Sequence, residues 1–173
     1  MSYRDAAVLT VICVVSGLVL FAVHSLTEKR IEEAENLEIV KLLSGIFPSA
    51  DFREENGIYL AVSGENGELL GYVARAEGRG YGGTIVLLVG VTKDGRVKKV
   101  RVLSHSETPG LGARIAEEDF LSQFENRTVD EILLRRDGGE IDAVSGATIS
   151  SRGVVNAVRE KMLELSHLWG SSE

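Results

Sequence analysis

The chain has 173 residues, which is enough for one small domain and a short appendage. Its formal net charge of −7 argues against nucleic-acid binding, which needs clustered basic side chains. The single cysteine, Cys13, excludes an internal disulfide. No group of Cys and His residues has the spacing of a zinc or iron–sulfur site, so no metal site is predicted.

Residues 6–26 follow a short N-terminal tail, residues 1–5, and contain no Asp, Glu, Lys or Arg. As a helix with a rise of 1.5 Å per residue, this run would be about 31 Å long, which matches the hydrocarbon thickness of a bilayer. A cleaved signal peptide is the main alternative, but Ala22-Val23-His24 is a poor cleavage site. The run therefore predicts a single transmembrane helix. Basic residues on both sides leave its orientation open.

Residues 27–48 are predicted to form a connecting helix. Apolar residues recur there at three- and four-residue spacing, with Gly45 as a helix stop and Pro48 shortly after it. The remaining residues, 49–173, form the predicted main domain.

The main domain has the pattern of an antiparallel sheet with packed helices, which places the fold in the α+β class. Two hairpins are predicted: 58–62 with 68–75 across the turn at Asn66-Gly67, and 84–91 with 97–104 across the turn at Asp94-Gly95. Helices are predicted at 115–124, at 128–134 from a Thr128–Glu131 capping box, and at 150–167.

Two loops could approach a ligand. Residues 78–83 form a glycine-rich link whose spacing is not that of a P-loop. It is either a flexible crossing or a place where backbone approaches a flat ligand, with Tyr81 as a wall. Residues 105–112 contain Pro109-Gly110, which suits a type II turn and predicts a rigid loop at a strand end.

A third segment, residues 142–148, lies directly before the last predicted helix. Ser145, Gly146 and Ala147 are small enough for a bulky group to approach, and the start of a helix can seat a phosphate. The Thr148 hydroxyl can accept a covalent modification. From the residues alone, a tight turn followed by a helix cap at Ser150 or Ser151 is the simpler interpretation.

Residues 142–148 resemble the D-x-x-S/T-G-A-T/S signature of proteins that carry covalent FMN. Together with Glu-Thr-Pro-Gly-Leu-Gly at 107–112 and Gly-Tyr-Gly-Gly at 80–83, they make the chain similar to the G subunit of the Rnf electron-transport complex. It resembles the C subunit of the Na⁺-pumping NADH:quinone reductase more distantly. The resemblance implies a phosphoester between Thr148 and FMN, installed by a flavin transferase that recognises Asp142, Ser145, Gly146, Ala147 and Thr148. It also implies cofactor contacts, and no catalytic residue, at Ser145, Gly146, Ala147, Glu107, Thr108, Leu111, Gly112 and Tyr81.

The function that this resemblance implies is electron relay through covalent FMN. The complex would pass electrons between ferredoxin and NAD and couple them to Na⁺ or H⁺ translocation. Partners would be its other membrane and peripheral subunits. The chain would be a single-pass protein of the cytoplasmic membrane with its soluble domain on the extracytoplasmic side. The alternatives are a stand-alone, membrane-anchored FMN reductase and a non-redox binding module with unmodified Thr148.

Overall fold

The computed structural model describes residues 3, 8, 10, 12–21 and 39–169, and the chain divides into two compact units, Met1–Lys41 and Leu42–Glu173. In the first unit, the described residues of the predicted span 6–26 are helical. The other residues of that span, most of the predicted tail 1–5, and residues 27–38 of the predicted connecting helix lie outside the described part. Within the described part, no helix is long and apolar enough to cross a membrane.

The second unit contains a five-stranded antiparallel sheet whose strands lie side by side in chain order. The predicted antiparallel sheet and α+β class are confirmed. The strands are β1 Ala50–Glu55, β2 Ile58–Ser63, β3 Leu69–Arg79, β4 Thr84–Thr92 and β5 Val97–Ser104. The prediction was wrong at the end of β3, because Gly78 and Arg79 pair with β4 as strand residues and only residues 80–83 form the link.

β1 is a strand that the sequence pattern did not predict. It pairs with β2 through a two-residue turn at Asn56 and Gly57, whose φ angles are 54° and 78°. Positive φ at both central residues is the requirement of a type I′ hairpin turn, and Asn-Gly is its preferred sequence. The turn signal was therefore present, but the strand itself is largely exposed and polar.

The C-terminal helix, Thr148–Leu165, packs on β3 and β4 and buries one apolar face against the main core. Two glycines permit this contact. A Cβ on Gly78 would collide with the Gly153 carbonyl, and a Cβ on Gly153 would collide with the Arg79 carbonyl. The helix backbone therefore lies directly on the end of β3, which fixes where the helix begins relative to the loop that follows that strand.

The opposite face of the sheet is covered by the chain that enters the domain. Residues 42–46 are helical, and the side chains of Leu43, Ile46 and Phe47 are buried. A Cβ on Gly71 would lie 2.6 Å from the Phe47 ring, so this cover also sits directly on the strand backbone. The interior strand β4, which is apolar on both faces, is thus buried on both sides.

Short helical turns connect β5 to the C-terminal helix, and here two helix predictions were wrong. The helix predicted at 115–124 is broken because Glu117 is extended (φ −74°, ψ 147°). Thr128 and Glu131 make the capping contact, N–H to Oε2 at 2.8 Å, but no helix follows, because Leu134 instead bridges to Ile141. The connecting pieces are the 3₁₀ turns Gly112–Ala116, Ser122–Phe124 and Arg135–Asp137 and the helical turn Glu118–Leu121.

Candidate functional site

A groove of about 230 Å³ lies where the β3–β4 loop, the loop after β5 and the start of the C-terminal helix meet. Eight of the nine residues predicted as cofactor contacts line it, and Ser145 is the exception. Ile149 and Ser150 also line it, although sequence reasoning gave neither a place in the site. The lining residues are Tyr81, Glu107, Thr108, Leu111, Gly112, Gly146, Ala147, Thr148, Ile149 and Ser150.

A tight turn shapes the chain just before the helix. The Ala147 N–H donates to the Val144 carbonyl at 2.9 Å, and Gly146 occupies the third position with φ 78°. This is the position at which a type II turn requires positive φ, so the signature needs glycine there. The turn points Ser145 away from the groove and into a separate depression that it shares with Asp142.

The C-terminal helix begins at Thr148, two residues earlier than predicted, and Ala147 supplies no side-chain cap. The predicted caps were wrong, because Ser150 and Ser151 lie inside the first turn and are 1% and 0% exposed. An uncapped helix start presents N–H groups and the positive end of the helix dipole. Since Thr148 lines the groove, that end of the dipole faces the groove.

The hydroxyl groups around the helix start differ sharply in their surroundings. The Ser151 hydroxyl accepts from the Val144 N–H at 3.0 Å and donates to the Ala147 carbonyl at 3.0 Å. The Ser150 hydroxyl donates to Glu107. Thr148 is half-buried, and no described residue hydrogen-bonds its hydroxyl. Of these three, the Thr148 hydroxyl is therefore the one available to a group in the groove.

Glu107 is a buried carboxylate at the base of the groove, and its side chain is 5% exposed. Oε1 accepts from the Gly82 N–H at 2.8 Å, and Oε2 accepts from the Ser150 hydroxyl. Its own N–H donates to His105 Nδ1 at 3.2 Å. One side chain thus joins the β3–β4 loop, the loop after β5 and the C-terminal helix.

Glycines make this junction possible. A Cβ on Gly80 would collide with Glu107 Oε1, and a Cβ on Gly112 would lie 2.8 Å from Oε2. A Cβ on Gly82 would collide with the Ser106 carbonyl. In the glycine-rich link, the backbone therefore lies close to a buried side chain of the same protein. The sequence had suggested either a flexible crossing or a close approach to a flat ligand, and this is a third arrangement.

Three large apolar side chains stand exposed around the groove. Tyr81 is 76% exposed, Leu111 46% and Ile149 57%. Exposed apolar groups gathered at one concave site are typical of ligand-binding surfaces. The sequence pattern gave Ile149 no place on a helix face, because the helix was predicted to begin only at residue 150.

Asp142 lies outside the groove and forms an ion pair. Arg135 Nε and Nη2 donate to its two carboxylate oxygens at 2.7 and 3.2 Å, and the Asp142 N–H donates to Gln123 Oε1 at 2.7 Å. The hydrogen bond from Arg135 holds the pKa of Asp142 below its usual range. Asp142 therefore anchors the start of the 142–148 segment to the rest of the domain.

None of the described residues that line the groove is basic. Arg152, which lies near the helix start in sequence, instead pairs with Asp137 at 2.7 Å. An anion beside Thr148 would therefore meet backbone N–H groups and the Thr148 hydroxyl, in the manner of anion sites at helix N-termini. The Glu107 carboxylate lines the same groove.

Comparison with known proteins identifies relatives over nearly the whole chain. Residues 80–162 match the FMN-binding domain family. The chain is 34% identical to the G subunit of the proton-translocating ferredoxin:NAD⁺ oxidoreductase complex of Clostridium ljungdahlii, over 94% of this chain and 90% of that protein. It is 32% identical to the G subunit of the ion-translocating oxidoreductase complex of Methanosarcina acetivorans (87% of each chain) and 33% identical to that of Vibrio cholerae (86% and 82%).

Two solved structures share the fold. One is the C subunit of the Na⁺-translocating NADH-quinone reductase of Parabacteroides distasonis, with a TM-score of 0.56 and 22% identity over 67% of this chain and 63% of that one. The other is NqrC of Shewanella oneidensis, with a TM-score of 0.55 and 22% identity over 70% and 68%. The family match, residues 80–162, contains every residue that lines the groove.

Proposed function

We propose a function from the premise that this chain belongs to the family of G subunits of Rnf-type ion-translocating oxidoreductase complexes, to whose members it is 32–34% identical over most of both chains. It is an electron-transfer flavoprotein subunit. Its FMN is attached covalently to Thr148, and its complex couples electron transfer between ferredoxin and NAD to translocation of Na⁺ or H⁺. On its own, the isolated polypeptide has no substrate-level activity.

The observation that carries this proposal is the setting of Thr148. It is the first residue of a helix without a side-chain cap, it lines the groove, and no described residue hydrogen-bonds its hydroxyl. The neighbouring hydroxyls of Ser150 and Ser151 are buried and bonded within the protein. A phosphoester at Thr148 would place the phosphate beside the N–H groups of the helix start, where negative charge is stabilised.

The groove also fits the two chemically different parts of FMN. Backbone N–H groups suit the phosphate, and the exposed side chains of Tyr81, Leu111 and Ile149 offer apolar surface to the flat ring. When bound, FMN supplies reversible uptake of electrons, so the chain need only hold and tune it. Thr108 on the facing wall is exposed and can donate a hydrogen bond to a polar edge of the ring.

A flavin transferase is the partner that would install the group. In the proposed step, the Thr148 oxygen forms a bond to the phosphate of an activated flavin nucleotide. The phosphoanhydride bond to the leaving nucleotide breaks, and the hydroxyl proton passes to a base on the transferase. The exposed turn at Ser145 and Gly146, with Asp142 fixed behind it, gives that enzyme a preformed surface.

The same proposal places residues 6–26 in the cytoplasmic membrane as a single-pass anchor, with residues 49–173 on the extracytoplasmic side. It is supported by the length of that run and by its lack of charged residues. The anchor would keep the flavin domain beside the other subunits of the complex. Covalent attachment would prevent loss of a cofactor that is not readily replaced outside the cytoplasm.

The test is to express the full chain with a flavin transferase and view a denaturing gel under ultraviolet light. The wild-type band should fluoresce, and intact-protein mass should show one added FMN less water. Thr148→Ala should abolish both signals, while the matched variant Thr108→Ala, which removes a hydroxyl from the facing wall, should keep them. A wild-type band that neither fluoresces nor carries the added mass would favour the alternative function, a non-redox binding module. Failure of other membrane subunits to co-purify from the native membrane would favour the stand-alone reductase.

A further inference from the structure

Glu107 is unusual in this groove because its buried carboxylate has no basic partner among the described residues. Among the described residues, no Lys, Arg or His forms an ion pair with it. Its oxygens are satisfied by the Gly82 N–H and the Ser150 hydroxyl. A carboxylate that is buried among neutral donors is costly to desolvate, so its presence needs a structural or functional reason.

The structural consequence of Glu107 is that it connects three segments. Gly82 belongs to the β3–β4 loop, Ser150 belongs to the first turn of the C-terminal helix, and Glu107 lies in the loop after β5. The bond to Ser150 spans 43 positions in sequence and the bond to Gly82 spans 25. Removing this side chain would therefore release the walls of the groove from one another.

The electrostatic consequence concerns whatever occupies the groove. A negative charge that is shielded from water acts strongly on a neighbouring group that gains an electron, because the local dielectric constant is low. Among the described residues that line the groove, there is no basic side chain to offset this charge. A redox group seated there would be harder to reduce than the same group beside a neutral residue.

We infer that Glu107 is a positioning residue that holds the three walls of the groove in register, and that its carboxylate lowers the reduction potential of the flavin. The second part rests on the proposed function, and the first does not.

The positioning role is tested on the protein without flavin. Glu107→Ala leaves the Gly82 N–H without its acceptor, so hydrogen exchange at that amide, followed by NMR, should accelerate about tenfold or more. Glu107→Gln keeps an oxygen for Gly82 and an N–H for Ser150, and it should retain most of the protection. If Glu107→Ala does not fold, Glu107→Asp, which shortens the side chain by one methylene, should show the same acceleration. Unchanged exchange at Gly82 in the folded variant would overturn this role.

The electrostatic role is tested by spectroelectrochemical titration of the flavin-loaded protein. Glu107→Gln should raise the potential, with the equilibrium constant for reduction rising about tenfold, which is about 30 mV for a two-electron couple. The matched control is Glu164→Gln, an exposed carboxylate sixteen positions after Thr148 on the same helix, about 24 Å away and beyond the screening length. It should leave the potential unchanged.

The electrostatic role would be overturned if the flavin had the same reduction potential in Glu107→Gln as in the wild type. It would also be overturned if Glu164→Gln raised that potential equally. If the wild-type chain takes up no flavin at all, the proposed function fails and the electrostatic role falls with it. Exchange at Gly82 would still decide the positioning role, because that measurement needs no flavin.

Discussion

Gly78 on β3 and Gly153 on the C-terminal helix face each other with no room for a side chain on either. The two residues are 75 positions apart in sequence, yet their contact fixes the position of the helix start. Thr148 lies five residues before Gly153, so the backbone contact holds it beside the loop that follows β3. The groove therefore depends on a pair of glycines that do not line it.

Replacing Gly153 by Ala should destabilise the domain by about 1–3 kcal/mol, because the new Cβ collides with the Arg79 carbonyl and the helix must move off the strand. Urea unfolding would measure the change. Gly45→Ala is the matched control. Gly45 also lies in a helix, but nothing lies within 4 Å of the added methyl group, so stability should be unchanged or slightly raised. Equal midpoints for wild type and Gly153→Ala would contradict the close contact.

Ser151→Ala should cost about 1–3 kcal/mol, because it leaves the buried Val144 N–H without its acceptor. Thermal unfolding would show the loss. Ser166→Ala removes a hydroxyl at the other end of the helix, where the side chain is exposed and bonds the Leu163 carbonyl, and it should change stability by less than about 0.5 kcal/mol. If the two substitutions had the same small effect, the Ser151 hydroxyl would not be holding the turn.

The local chemistry of the site could be predicted from the sequence, but its assembly could not. The small residues before Thr148 and the Pro-Gly turn can be recognised in the sequence, because each reflects a constraint on a few consecutive residues. The groove joins segments around residues 82, 107 and 150 through contacts between distant residues. Such contacts depend on how the helix lies on the sheet, which the spacing of residues does not reveal.

The boundaries that sequence reasoning misplaced have the same physical origin. Ser150 is a favoured helix cap in isolation, but its hydroxyl is used by Glu107 and the helix starts earlier. Thr128 and Glu131 form a capping contact without a helix, because Ile132 and Leu134 are drawn into the core. Local preference was overridden by burial in both places. β1 was missed because its mostly exposed, charged residues carry no apolar alternation.

The Arg135–Asp142 ion pair should make stability depend on pH in a defined direction. The hydrogen bond from Arg135 lowers the pKa of Asp142 in the folded chain. The pair therefore stabilises the fold above the ordinary Asp value of about 3.9, and its contribution is lost as pH falls through the lower folded-state pKa. Melting temperatures of wild type and Asp142→Asn should differ near neutral pH and converge once the pH falls below the folded-state pKa of Asp142.

Other acids with lowered pKa, such as Glu118 and Glu131, are present in both proteins, so their contributions cancel in this difference. Arg135→Gln offers an independent check, since it removes the partner and should reproduce the pH dependence of Asp142→Asn. If the difference in melting temperature between wild type and Asp142→Asn stayed constant over the whole pH range, the negative charge of Asp142 would not be stabilising the fold.

If FMN occupies the groove as proposed, Ile149→Ser should expose its ring to water without unfolding the protein. The Ile149 side chain is 57% exposed and lines the groove, so its removal should change stability by less than about 0.5 kcal/mol while opening one apolar wall to water. Quenching by iodide of the flavin proposed at Thr148 should become more efficient. Leu163→Ser makes the same change on the same helix at a side chain that is 50% exposed and lies outside the groove, and quenching there should match the wild type. If both variants quenched alike, the ring would lie away from Ile149, and the groove would have to hold it against Tyr81 and Leu111 alone.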